Sequence, residues 1–219
     1  MSAFLGKIHF WLYRKIQLVN EREALVLEKA RASVGDLADE LHETAVDTYG
    51  ESIPADVPLD QVIDTANIHG WLQGQIEQST VREASFIKDL LDCAGDEAIE
   101  PVLAAFMEQG MACGAVARDQ LPEETASTIY DVMQNFYLNG MPCDGNDVVV
   151  ENTEDVFTWG GDHRNQRGNW AKAGVDPRSM MAAYQAWFTG FVTAISPRFE
   201  FLVLPIESGV PNYSIVKKA

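Results

Sequence analysis

The chain has 219 residues, 47% hydrophobic and 22% charged, enough apolar material for a folded core and too much for an intrinsically disordered chain. Lys and Arg number 16 against 33 Asp and Glu, and the formal net charge of -17 repels phosphate backbones and excludes nucleic acid as a primary partner. No apolar run approaches the roughly 18 to 20 residues that span a bilayer, so no transmembrane segment is expected.

Three cysteines, an odd number, do not build a disulfide framework in a chain of this size, which points to the cytoplasm. From Phe4 to about Tyr49, apolar residues at Phe4, Ile8, Trp11, Leu12, Ile16, Val19, Val26, Ala30, Leu37, Leu41 and Ala45 recur in steps of three, four and seven. That spacing predicts one helix face, which Gly35 bends or splits in two. Pro54 and Pro58 make the following segment a loop. Asp60 reads as the cap of a second long helix through Ile63, Ala66, Leu72, Ile76, Ala84, Ile87 and Leu91, closing near Ala94 and Gly95. Asp96 and Pro101 open a third helix, and Pro122 opens a fourth that Gly140 ends. No internal repeat and no low-complexity tract stands out.

After Pro142 the period changes. Val148 to Val150 and Glu154 to Trp159 read as two short strands around Asn152 and Thr153, stopped by Gly160 and Gly161. Asp176 and Pro177 start a last helix carrying Met180, Met181, Tyr184, Trp187, Phe188, Phe191, Val192 and Ile195. Phe199 to Ile206 and Tyr213 to Val216 then form a hairpin with a long loop around Glu207, Ser208 and Gly209. Helices followed by a small antiparallel sheet predict a single α+β domain over 1–219, helical over residues 1–140 and ββαββ over residues 141–219.

Four features carry candidate chemistry. The stretch from Phe4 to Ile16 holds Lys7, Arg14 and Lys15 among four aromatics, with no acid before Glu21. It is either a helix that docks on a membrane surface or a partner, or core whose cations pair with the acidic remainder. Gly70 and Gly74 interrupt the second helix and Gly110 and Gly114 the third. Either the two helices pack through bare backbone, or a ligand lies there against His69, Trp71, Gln73 and Gln75. The run Asp162, His163, Arg164, Asn165, Gln166, Arg167 follows a strand and a Gly-Gly turn, a common position for binding residues. Arg164 and Arg167 suit a carboxylate and His163 suits proton transfer near neutral pH; the alternative is a solvated loop with Asp162 capping a short helix through Asn169. Cys143, in a turn before the first strand, is a nucleophile only with a base, for which His163 is the nearest candidate along the fold. No metal-ligand spacing and no phosphate loop is present, so no metal site is expected and no cofactor is specified.

The element order from about Met141, with the strand pair through Val148 to Trp159, the polar turn, the helix from Met180 to Ile195 and the final Phe199 to Leu204 and Tyr213 to Val216 strands, resembles two related groups. These are the 4-vinyl-reductase-type ligand domains and the L-2-amino-thiazoline-4-carboxylic acid hydrolase-like proteins. That family pattern has a Cys at the start of the final strand, where Asn212 and Tyr213 stand in this chain. It has another after the second strand, where Gly161, Asp162 and His163 stand, so no thiol or metal chemistry carries over.

The expectation is a cytoplasmic protein that binds a small organic ligand, such as a carboxylate, in an apolar pocket between helices and sheet. Trp71, Trp159, Trp170, Tyr184 and Trp187 form its walls, and Asp162, His163, Arg164 and Arg167 its polar lip. One alternative, implied by the resemblance, is a hydrolase of a C–N bond in a small heterocycle, with Cys143 or a water activated by His163 attacking. Another is an interaction protein that uses the amino-terminal aromatic helix. Exposed aromatic faces on long helices would also favour a homodimer.

Overall fold

Helices fill the front of the chain and a four-stranded sheet closes it in the computed structural model, which describes residues 5–145, 147–205 and 209–219. The α+β class is the one the sequence predicts. Phe4 of the first helix face, and Ile206, Glu207 and Ser208 of the last hairpin, lie outside the described residues.

Helix α1 (Lys7–Val34) and helix α2 (Asp36–Tyr49) are separated only by Gly35, at φ 62° and ψ -140°. An L side chain is strained there, which is why glycine makes the break. After the proline loop comes a single turn, α3 (Leu59–Val62). Asp60 belongs to that turn, and the second long helix, α4 (Ile68–Ala94), starts later than its spacing suggests. Its cap is Asn67, whose side chain accepts the Gly70 N–H at 3.0 Å. Helix α5 (Asp96–Arg118) follows after Gly95, and α6 (Ala126–Met133) is capped by Thr125. Only the end of the amino-terminal aromatic stretch is core: Leu12, Tyr13 and Ile16 are buried in one cluster with Val19, Leu59, Ile63, Leu72 and Ile76. Ile8 and Phe10 stay exposed.

The structure corrects the absence of a repeat. A shift of 60 residues aligns Ile8, His9, Trp11, Leu12 and Ile16 of α1 with Ile68, His69, Trp71, Leu72 and Ile76 of α4. It also aligns Arg22-Glu23-Ala24 with Arg82-Glu83-Ala84, and Gly35-Asp36 with Gly95-Asp96. Gly95 repeats the backbone of Gly35, at φ 58° and ψ -131°. Equivalent residues also meet in space. The His9 and His69 rings lie edge to face at 6.3 Å. Arg22 forks onto Glu83, both bonds 2.7 Å, while Arg82 reaches Glu23 at 2.8 Å. The helix pairs exchange partners in the same sense, α5 lying along α1 and α2 along α4. The front of the molecule is therefore a duplicated helix pair related by an approximate two-fold, with two reciprocal buried ion pairs across it.

Strands β1 (Val149–Asn152) and β2 (Val156–Gly160) form the first hairpin, and β3 (Phe199–Leu204) and β4 (Asn212–Lys217) the second. β2 pairs antiparallel with β4, giving the order β1-β2-β4-β3. Between the hairpins lie α7 (Arg164–Ala173) and α8 (Pro177–Ile195). α8 presses on α5 through glycines on both sides. A Cβ on Gly110 would lie 2.1 Å from the Trp187 carbonyl oxygen, and one on Gly190 would lie 2.3 Å from that of Met107. The expected approach of α4 and α5 through glycine faces is not made: Gly70 abuts its own cap Asn67, and Gly74 faces open space.

Candidate functional site

His163 sits at the start of α7 with φ 47°, the one non-glycine residue in the left-handed region among the described residues. Its Nδ1 lies 3.0 Å from the Tyr137 hydroxyl and its Nε2 3.0 Å from the Tyr213 hydroxyl. In the neutral ring one nitrogen donates and the other accepts, so the two tyrosines occupy both. Burial, helped by the Arg167 charge, pushes its pKa down to about 3. At neutral pH it is a fixed, uncharged hydrogen-bonding bridge between α7, the strand β4 and the segment after α6.

The rings expected to wall a pocket pack on one another. His163 lies 5.2 Å from Trp170 and 5.3 Å from Tyr184, Trp159 meets Phe188 at 5.9 Å, and Trp187 stacks on Phe191 at 5.2 Å. Trp159, Trp170, Tyr184 and Trp187 are all buried, so the expected cavity between bundle and sheet is filled with side chains. Arg164 and Arg167 are exposed, Asp162 is half-buried, and Arg164 is 3.8 Å from Asp162. Cys143 is exposed, and with both His163 nitrogens engaged it gains no base from that ring. It lines instead a narrow cleft of about 120 Å³ with His9 and His69. Trp71 is half-buried, 6.2 Å from Tyr13, and Gln73 is exposed. Among the described residues no group of three or more His, Cys, Asp and Glu is arranged to hold a metal ion.

A larger cleft, about 460 Å³, opens where α1, α6, the 139–147 segment and the first hairpin meet. Lys15 from α1 lines it and is nevertheless almost wholly buried. Its Nζ sits 3.7 Å above the Trp11 ring and donates to the Gln134 carbonyl oxygen at 3.2 Å. The ring face and the carbonyl favour an ammonium, but burial is the larger influence and brings the pKa down to about 7. Trp11 is held in turn by its indole N–H, which donates to Asn135 Oδ1 at 3.0 Å.

Across the same lining, Tyr130 stacks on Phe157 at 4.1 Å and donates its hydroxyl proton to Asp147 Oδ2 at 2.9 Å. Asn139 donates to the other Asp147 oxygen at 2.9 Å. Burial raises the Asp147 pKa against the pull of both hydrogen bonds. Burial and the Asp147 charge likewise raise that of Tyr130. The Gln134 side-chain NH₂ is buried without a hydrogen-bond partner among the described residues. The site thus combines a partly neutral amine, a Tyr-Asp pair, an unmet donor and aromatic surface. That combination suits an uncharged oxygen-bearing molecule.

Sequence reasoning groups Lys15 with Lys7 and Arg14, as cations that either dock on a surface or partner or pair with the acidic remainder. The missed signal is helical phase: Lys15 falls between Leu12 and Val19 on the stripe that also carries Ile8 and Val26. A lysine on an apolar stripe is the informative exception. Tyr130 and Asp147 carry no sequence signal of their own, because a fold contact spanning the α6 exit brings them together. No protein-family model, no curated protein and no solved structure matches the chain.

Proposed function

We propose that the protein binds a small organic molecule in the Lys15 cleft. This keeps the ligand-binding expectation in kind, but the site moves from the bundle–sheet junction to the meeting point of α1, α6 and the first hairpin. The observation that carries it is the buried Lys15 amine at the wall of an open cleft. Holding that amine out of water opposes folding, and a structural role would be served as well by an apolar residue. The ligand differs from the carboxylate expected for Arg164 and Arg167. Asp131 and Asp147 line the cleft beside one cation, so a carbonyl or amide oxygen is a better match than an anion. The hydrolase alternative loses its pairing of Cys143 with His163, since the imidazole is committed to Tyr137 and Tyr213.

A fragment titration followed by NMR tests this. Small aromatic carbonyl compounds should shift the Trp11 indole N–H resonance, and Lys15→Gln should weaken them by about tenfold, the effect of losing one good polar contact. Fragments that perturb only the α7 surface around Arg164 and Arg167 would remove the assignment.

A further inference from the structure

Resting on that reading of the cleft, we propose that Lys15 captures its ligand covalently, as a reversible imine with an aldehyde or ketone. The first support is placement. Nζ is fixed by the Trp11 ring and the Gln134 carbonyl rather than free to sweep through solvent, and it borders a volume large enough for a small aromatic molecule. An amine held at one point approaches a bound carbonyl carbon without first being ordered. Second, Gln134 borders the cleft, and its buried NH₂, without a partner among the described residues, is a donor for an oxygen entering there. Third, the duplication supplies an internal comparison. Trp11 aligns with Trp71, but Lys15 aligns with Gln75, so the amine belongs to one copy only, the copy that borders the cleft. The lowered affinity of the amine for its proton agrees with this placement.

The step balances without an oxidant or reductant. The Nζ lone pair forms the new C–N bond as the carbonyl π pair moves to oxygen. The two N–H protons of the amine transfer to that oxygen, and it leaves as water while the C=N bond forms. Tyr130 and Asp147 border the same cleft and are the groups placed to ferry these protons.

The test uses the full chain with benzaldehyde as probe and benzyl alcohol as its carbonyl-free counterpart, with cyanoborohydride to reduce any imine to a stable secondary amine. Peptide mass mapping should find the adduct on Lys15, formed about tenfold or more faster than on any other lysine at pH 7. Benzyl alcohol should slow it, and Lys15→Gln should abolish it without unfolding the protein, because the second copy carries glutamine at that point. Adduct spread evenly over the lysines would overturn the inference. Trp11 indole shifts with both probes but no adduct on Lys15 would overturn the imine and leave the cleft as a non-covalent site. If neither probe shifts Trp11 and no adduct forms, both fall.

Discussion

His163 shows how far a side chain's role depends on what surrounds it. On the sequence it is the one histidine in a polar run, poised for proton transfer; in the fold it is sealed between Tyr137 and Tyr213. The consequence for pH is a loss of stability in acid. An unfolded imidazole takes up its proton near 6.5, whereas the buried one resists until about 3, so over that interval the unfolded chain binds more protons. Stability therefore falls as pH drops from 7 toward 3, and at pH 4.5 this one residue accounts for about 3 kcal/mol. His163→Gln should be less stable than the native chain at pH 7 but should lose that share of the acid slope. Urea unfolding at pH 7 and pH 4.5 measures both. An unchanged slope would mean that the ring is protonated in the fold.

At the level of elements, hydrophobic period, together with β-branched runs and turn residues, locates most helices and all four strands, although β1 is exposed along its whole length. It does not say which faces meet. Gly70 with Gly74 and Gly110 with Gly114 share a four-residue spacing, yet only the α5 pair is pressed against another backbone. Sequence spacing cannot distinguish a glycine needed for close approach from one facing water. Two alanine substitutions separate them. Gly110→Ala drives a methyl into the Trp187 carbonyl and should destabilise by about 3 kcal/mol, within the range for overpacked cores. Gly74→Ala meets nothing and should stabilise by up to about 1 kcal/mol, the helix-propensity difference. Thermal unfolding of the two variants gives the signs directly, and shifts in the same direction would contradict this account of α5 against α8. Helix boundaries are less legible where a cap competes with a plausible neighbour. Asp60 has the right chemistry, but Asn67 makes the bond.

For the whole molecule, the repeat is hard to see in the sequence because the matching positions are scattered through helices whose other residues have diverged. Only the reciprocal contacts make them stand out. Arg22, Glu23, Arg82 and Glu83 are all buried, and His42 adds a bond to Glu23 at 2.9 Å. Burial alone would raise the Glu23 pKa, but the hydrogen bonds from His42 and Arg82 outweigh it and hold the carboxylate ionised. Arg82→Met strands that charge and should destabilise by about 3 to 5 kcal/mol. Adding Glu23→Leu to the same chain should restore much of the loss, because no unpaired charge then remains inside. Denaturant melts of the two single variants and the double variant test this. Simple additivity would show that Arg82 and Glu23 are energetically independent.

The likeness between the halves also sets a limit on what the molecule can hold. Where one half has an amine, the other has the amide of Gln75. Kinship by duplication would suggest a pair of equivalent berths, but the chemistry at that point was given to one sibling alone. Titration to saturation should therefore stop at a single guest for each polypeptide.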